Sequence, residues 1–312
     1  MQNSKLKIKD ISLDNNIFLA PMAGYTNYAF RKVALECGYS LAFTELVSAK
    51  GLAYKTKGNA EIVKCGKDLE KTAVQIFGED AYYMRKAIEG EYLKDFKIVD
   101  INMGCPVPKV FKNGEGSALL LDIKKAENIV KECVKTGKII TVKIRIGQKK
   151  GDDIASEYCK MLENAGASLV TIHGRTREEY YSGEPNFSAI EKAKKCVNIP
   201  IIANGGIFTK EDALTMINKT GADGVMLARG AIANPFLVCD LLGIEHPFTL
   251  KEFILKHLRN AKEEYGLKRP ALEFRKFAPW YFKGKLGLSE VKKQINVTEN
   301  IDELIELISE NL

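Results

Sequence analysis

The sequence predicts a (β/α)8 barrel followed by a small C-terminal all-α domain, and three features carry that prediction. Eight short β-rich apolar runs recur between residues 16 and 230. Helix-like stretches with apolar residues at three- and four-residue spacing separate most of them. Past residue 240 the strand pattern stops and only amphipathic helical patterns remain. Strand alternating with helix implies a parallel sheet with right-handed crossovers. Eight such repeats are enough to close a barrel, whereas an open doubly wound sheet usually has fewer strands.

In chain order the runs are NIFLAPM (16–22), LAFTELV (41–47), TAVQIFG (72–78), KIVDINMGC (97–105), IITVKIRIG (139–147), SLVTIHG (168–174), IPIIANGG (199–206) and GVMLARG (224–230). Segments such as KKAENIVKECVKTG and IASEYCKMLENAGA supply the intervening helices. The stretch GEGSAL (114–119) starts like a dinucleotide fingerprint but lacks the third small residue and follows no strand directly. It reads as a loop and helix start, with no Rossmann domain. In the tail, TLKEFILKHLRNAKEEYG, PALEFRKFAPWYFKGKLG and ENIDELIELISENL read as three amphipathic helices. The expected division is a barrel over 1–240 and a helical domain over 245–312.

The 312 residues are 46% hydrophobic and 28% charged, a soluble globular composition. No apolar run approaches the ~20 residues that span a bilayer. The polar opening MQNSKLKIKD has no signal-peptide core, so a cytoplasmic location is expected. Seven cysteines and three histidines are scattered, with no CxxC pair and no zinc-like cluster, so free thiols and no metal are expected. A formal charge of +7 favours a polyanionic partner. Eight Lys/Arg against two acids, Glu273 and Glu290, lie between Lys268 and Lys293, which concentrates that field in the tail.

The polar residues gather at the C-terminal ends of the strands, where barrel enzymes place their chemistry. Glu45, Gln75, Asn102, Lys143, Arg145, His173, Asn204 and Arg229 all stand there. ANGGI (203–207) and ARGAIANP (228–235) close strands seven and eight. Two tight turns would account for their glycines, and so would a phosphate site in which backbone N–H groups and the Arg229 fork meet the anion. Alternation puts Lys143 and Arg145 on one strand face. Such cations need partners, either an ion network with Glu45 or Asp100 or an electron-rich cofactor such as a flavin, whose reduced form is anionic. His173 fits a hydrogen-bonded core or a mouth-facing role equally. Gln75 could bond the edge of a planar heterocycle through both donor and acceptor. Cys105 leaves strand four beside Asn102 and before Pro106. A thiol is mostly protonated at neutral pH, so Cys105 is either inert packing or a general acid.

Six segments in this order, APMAGYTNYAFR, QIFG, NMGCPVPKV, VKIRIG, HGRTR and ANGGI, resemble the tRNA-dihydrouridine synthases over about residues 17–235. The tail, with RKFAPWYFKG, resembles that family's helical tRNA-binding domain. The resemblance implies FMN-dependent, NADPH-driven reduction of the C5=C6 bond of tRNA uridines, with hydride from flavin N5 to C6 and a proton from Cys105 to C5. It places Pro21, Met22, Ala23, Gln75, Lys143, His173, Asn204, Gly205, Gly206, Ala228 and Arg229 on FMN. Asn102, Arg145, Arg175 and Lys276 are expected on the substrate. The partners implied are tRNA and NADPH, with the protein acting as a monomer. Trp280 and Tyr281 could stack on RNA or pack in the tail. Two alternatives accompany this reading: a flavin barrel oxidoreductase acting on a free pyrimidine, and a flavin-free RNA-binding protein on the same fold.

Overall fold

The computed structural model describes residues 5–66 and 68–312, and within them the chain closes a parallel barrel. The strands are β1 (Leu6–Ile8), β2 (Ile11–Leu13), β3 (Ile17–Leu19), β4 (Leu41–Phe43), β5 (Val47–Ser48), β6 (Thr72–Phe77), β7 (Ile98–Met103), β8 (Ile139–Arg145), β9 (Leu169–His173), β10 (Ile201–Asn204) and β11 (Gly224–Leu227). All eight runs read from the sequence form barrel strands. Neighbours run in parallel from β4 through β3, β11, β10, β9, β8 and β7 to β6, and a β4–β6 pairing closes the ring. β5 continues the line of β4 after a break at 44–46 and pairs with the far half of β6, Val47 opposite Ile76. At the break Thr44 bonds β6 through its own N–H and by accepting the Gln75 N–H at 3.1 Å. Glu45 is thereby freed from the ladder.

Strand register sets the site. Inward residues alternate with outward ones, so Gln75 lies opposite Asp100, Asn102 opposite Lys143, and Arg145 opposite His173, itself opposite Asn204. Below this polar layer the lumen is filled by Phe18, Phe43, Ala73, Ile98, Ile139, Leu169, Ile202 and Met226. The β1–β2 hairpin, which sequence reading did not include, seals the bottom with Ile8 and Leu13. Part of the polar opening stretch, residues 1–4, lies outside the described residues.

The tail differs from the three helices expected. Helices occupy Leu250–Tyr265, Lys268–Phe274, Ala278–Tyr281, Ser289–Val297 and Ile301–Asn311. The first has the capping box that Thr249 and Glu252 encode. The segment read as one helix over 270–287 breaks at Arg275–Phe277. Pro279 has no N–H to give the Arg275 carbonyl, and three-residue turns such as Phe277 N–H to Phe274 O replace the regular ladder. The tail shares one apolar core with the barrel's outer helices. Phe30, on helix Tyr28–Glu36, packs edge-on against Phe253 and His257, with centroids 6.4 and 5.5 Å away, and against Phe277 at 5.5 Å. No helix among the described residues is long and apolar enough to cross a membrane.

Candidate active site

A cavity of about 620 Å³ opens at the C-terminal ends of the strands. Its wall includes Pro21, Met22, Ala23, Gln75, Asn102, Cys105, Lys143, Arg145, His173, Arg175, Asn204, Gly205, Gly206, Ala228 and Arg229. Every site residue expected from the sequence is therefore brought together except Lys276. That lysine stands outside the wall, its ammonium 5.7 Å from the Tyr25 ring centre, at the seam between mouth and tail.

Hydrogen bonds fix the polar layer in sequence. Thr141 donates to Asp100 at 2.6 Å, and Gln75 Nε2 donates to the other Asp100 oxygen at 2.7 Å. Asn102 Nδ2 donates to Gln75 Oε1 at 2.8 Å. Asn102 Oδ1 in turn accepts the N–H groups of Gly104 and Cys105, at 3.1 and 2.9 Å. The side chain of Asn102 thus shapes the loop that carries the thiol. Gln75 and Asn102 were expected to face ligands; both spend most of their bonding inside the protein, which leaves each one N–H for the cavity. Burial pushes the Asp100 carboxyl up to about 6. No ion pair joins Lys143 or Arg145 to Glu45 or Asp100 among the described residues, so the structural ion network does not form. Glu45 instead accepts the Gly24 N–H.

The cations are held differently. Arg145 is tied down by the carbonyls of Gly104, Thr176 and Tyr180, at 2.8 to 2.9 Å. Arg175 donates to the Gly183 carbonyl at 2.6 Å and approaches His173 Nε2 at 3.3 Å. Burial first, then Arg145, Lys143, Arg175 and Arg229, hold the His173 imidazole well below its usual range. It is therefore neutral, and accepts from Arg175. Among the described residues Lys143 has one partner, Asn204 Oδ1 at 3.1 Å. Burial and then Arg145 bring its ammonium down to about 8. Two of its N–H donors remain for an electron-rich group in the cavity.

Cys105 is a free, half-buried thiol, and burial raises it above its ordinary value. The loop bends where Gly116, at φ +60°, comes against it: a Cβ built there falls 3.0 Å from Cys105 Cβ. Across the mouth, Gly205 and Gly206 take φ +119° and +69°. A side chain on Gly205 would press 2.7 Å from the His173 ring. Arg229 lies over Tyr181, 4.2 Å from its centroid.

Sequence reading did not place Tyr25, Gly104, Ile207, Gly230 or Trp280 in the wall. Gly230 had a signal, since it follows Arg229 in the glycine-bearing turn. Trp280 had none, because its position depends on how the tail docks. Tyr281 is buried and hydrogen-bonded to His257 at 3.1 Å, so it packs and presents no face to RNA.

Fold and site together define a barrel oxidoreductase with a flavin-sized, cation-lined mouth. The chain belongs to the dihydrouridine synthase family, whose model matches residues 18–311. It is 34% identical to tRNA-dihydrouridine synthase B of Pasteurella multocida, over 97% of this chain and 94% of that protein. It is 33% identical to a probable tRNA-dihydrouridine synthase 1 of Synechocystis sp., over 98% and 88%. Among solved structures, morphinone reductase superposes with a TM-score of 0.57 at 14% identity, covering 78% of this chain and 90% of that one. A 2-naphthoyl-CoA reductase reaches 0.62 at 12% identity, covering 78% and 52%. Those two likenesses are of fold. The chain is a flavin-dependent oxidoreductase acting on a CH–CH bond, and family membership sets aside both the free-pyrimidine and the flavin-free alternatives.

Proposed function

We propose that this protein reduces uridines of tRNA to dihydrouridine, with FMN as the flavin, NADPH as its reductant and Cys105 as the acid. The observation that carries the reading is the Cys105 thiol, kept protonated by burial, on the wall that also holds Lys143, Arg145 and Arg229.

The residues present fit a flavin mononucleotide. Gly205, Gly206 and the turn at Ala228 and Arg229 would hold the phosphate, since backbone N–H groups without Cβ cover and a guanidinium suit an oxyanion. Pro21, Met22 and Ala23 would line the ring. The remaining N–H of Gln75 and the free donors of Lys143 would meet its polar edge, with neutral His173 beside them. Bound there, the flavin would supply the hydride for C6 of the pyrimidine.

The protein's own chemistry is the proton. Cys105 Sγ–H donates to C5, completing addition across the double bond, and is left as thiolate. Arg145 and Lys143 are the cations that lower the Cys105 pKa, so they stabilise that thiolate until solvent reprotonates it. Arg145, Arg175 and the spare N–H of Asn102 would hold the uracil edge. The uridine must leave its stack to reach this depth, as in other base-modifying enzymes.

Residues 1–240 would form the catalytic barrel and 245–312 the tRNA-binding part, the whole working in the cytoplasm. Lys283, Lys285 and Lys292 make no ion pair among the described residues, while Lys268 pairs with Glu299, and Arg269 with Glu61 and Glu273. The free lysines and Lys276 would meet phosphates, a salt-sensitive attraction.

The test is Cys105→Ala. Flavin content and tRNA affinity should stay at wild-type levels, while dihydrouridine formation falls about 100-fold or more, as expected for loss of a general acid. Turnover that is unchanged would remove Cys105 from the reaction.

A further inference from the structure

We propose that the rim beside β5 and β6 is a second RNA-contact surface, where unpaired tRNA bases stack on Tyr54 and Tyr82 while Lys50 and Lys86 meet the backbone. The inference rests on the tRNA reading above and adds a surface to it, on residues that belong neither to the cavity wall nor to the tail.

Tyr54 follows the helix Ala49–Ala53, which starts directly after β5. Tyr82 and Tyr83 sit in the first turn of helix Ala81–Ile88, just after β6. Both helices begin where the barrel strands end, so the cluster lies on the mouth side. Glu79, two residues before Ala81, lies beside Gly114 in the chain that follows the Cys105 loop: a Cβ built on Gly114 would fall 3.7 Å from that of Glu79.

The cluster is preorganised. Tyr54 and Tyr83 share a hydroxyl–hydroxyl bond of 2.7 Å, with ring centroids 5.6 Å apart. Tyr82 meets Tyr83 edge-on at 5.3 Å. Asp80 accepts the N–H groups of Tyr82 and Tyr83 at 2.8 and 3.2 Å, which fixes the turn that presents them. Lys50 lies 5.3 Å from the Tyr83 centroid, and Lys86 lies 5.5 Å from that of Tyr82.

A packing role explains Tyr83 but not its neighbours. Tyr54 is 59% exposed and Tyr82 64%. Neither Lys50 nor Lys86 forms an ion pair among the described residues. Exposed aromatic rings interleaved with ammonium groups that have no carboxylate partner match the chemistry of unstacked bases on a phosphate chain. A tRNA whose target base has been drawn out offers such a strand beside the mouth. An apolar protein partner would leave the lysines without counter-charge.

The experiment measures affinity for an unmodified tRNA transcript at fixed salt, using flavin-loaded, full-length protein. The pair Tyr54→Ser with Tyr82→Ser should weaken binding by about ten-fold or more, the scale of a lost base stack. The pair Tyr54→Phe with Tyr82→Phe keeps the ring faces, gives up only the solvent-exposed Tyr54–Tyr83 hydroxyl bond, and should bind within about two-fold of wild type. Lys50→Gln with Lys86→Gln should lower the slope of log affinity against log salt by about one to two. Serine variants that bind as wild type overturn the surface. So do phenylalanine variants that bind ten-fold worse, a readout that holds even if the serine pair misfolds. Sedimentation that shows a wild-type dimer broken by the serine pair, with tRNA affinity intact, assigns the patch to self-association and overturns it too. If the wild type neither binds tRNA nor forms dihydrouridine, the function itself falls and takes the surface with it. If the wild type does both and the serine pair matches it, the surface alone falls.

Discussion

Asn102→Ala should do more harm than a polar side chain beside a cavity suggests. The carboxamide is 8% exposed, and it makes three bonds, one to the fully buried Gln75 and two to the backbone of the Cys105 loop. Each net intramolecular bond contributes about 1 kcal/mol, and a buried acceptor left without its donor costs about 1–3 kcal/mol. Water from the mouth can reach the two loop N–H groups, but Gln75 Oε1 has no such relief. The expected loss is about 3 kcal/mol of unfolding free energy, a large share of the ~5–15 kcal/mol that holds a domain together. Equilibrium urea unfolding, read with an unchanged slope, measures it. The same change should loosen the loop, so alkylation of the Cys105 thiol, followed by peptide mass mapping, should quicken. A variant that unfolds within about 0.5 kcal/mol of wild type, outside the range of one lost buried bond, and alkylates at the wild-type rate would refute the ladder from Asp100 to Cys105.

Two further perturbations follow from the same geometry. Lys143 is brought down to about 8 by burial and Arg145, so the ligand-free protein holds it neutral above that pH while the unfolded chain still binds the proton. Its contribution to stability therefore rises as pH climbs from about 8 to about 10.5, by about 3 kcal/mol in all, and Lys143→Met should erase that rise. Parallel pH profiles of urea midpoint for the two proteins would count against the assignment. Gly230→Ala places a methyl inside the shell of the Ile207 carbonyl oxygen. It should lower stability by about 1–3 kcal/mol and reduce flavin content. Gly58→Ala, with open space around its Cβ, is the control that should leave both unchanged by differential scanning calorimetry and visible absorbance.

The barrel was legible because each strand announces itself twice. A run such as IITVKIRIG is β-branched enough to be a strand, and its alternation separates Lys143 and Arg145 from the apolar face. What stayed hidden depends on contacts between distant segments. That Gln75 spends its amide on Asp100 and Asn102 follows from the register of β6 against β7, which no single run encodes. The β1–β2 hairpin went unread because its strands LKI and ISL lie in a polar stretch, without the longer apolar runs NIFLAPM and LAFTELV that reveal the equally short β3 and β4. In the tail, Phe274, Phe277 and Tyr281 keep helical spacing straight across a break, so the pattern conceals the turn that Pro279 enforces. Trp280 joins the cavity wall only because that turn swings it there.

Phe30, wedged between Phe253, His257 and Phe277, makes the tail part of the barrel's own architecture. Removing everything after residue 240 would strip these rings from a barrel helix and lay bare a patch meant never to see solvent. A graft that exchanges the tail for another's would have to carry the matching face of helix Tyr28–Glu36 with it. Tail and barrel in this chain are therefore inherited together, through one shared aromatic joint.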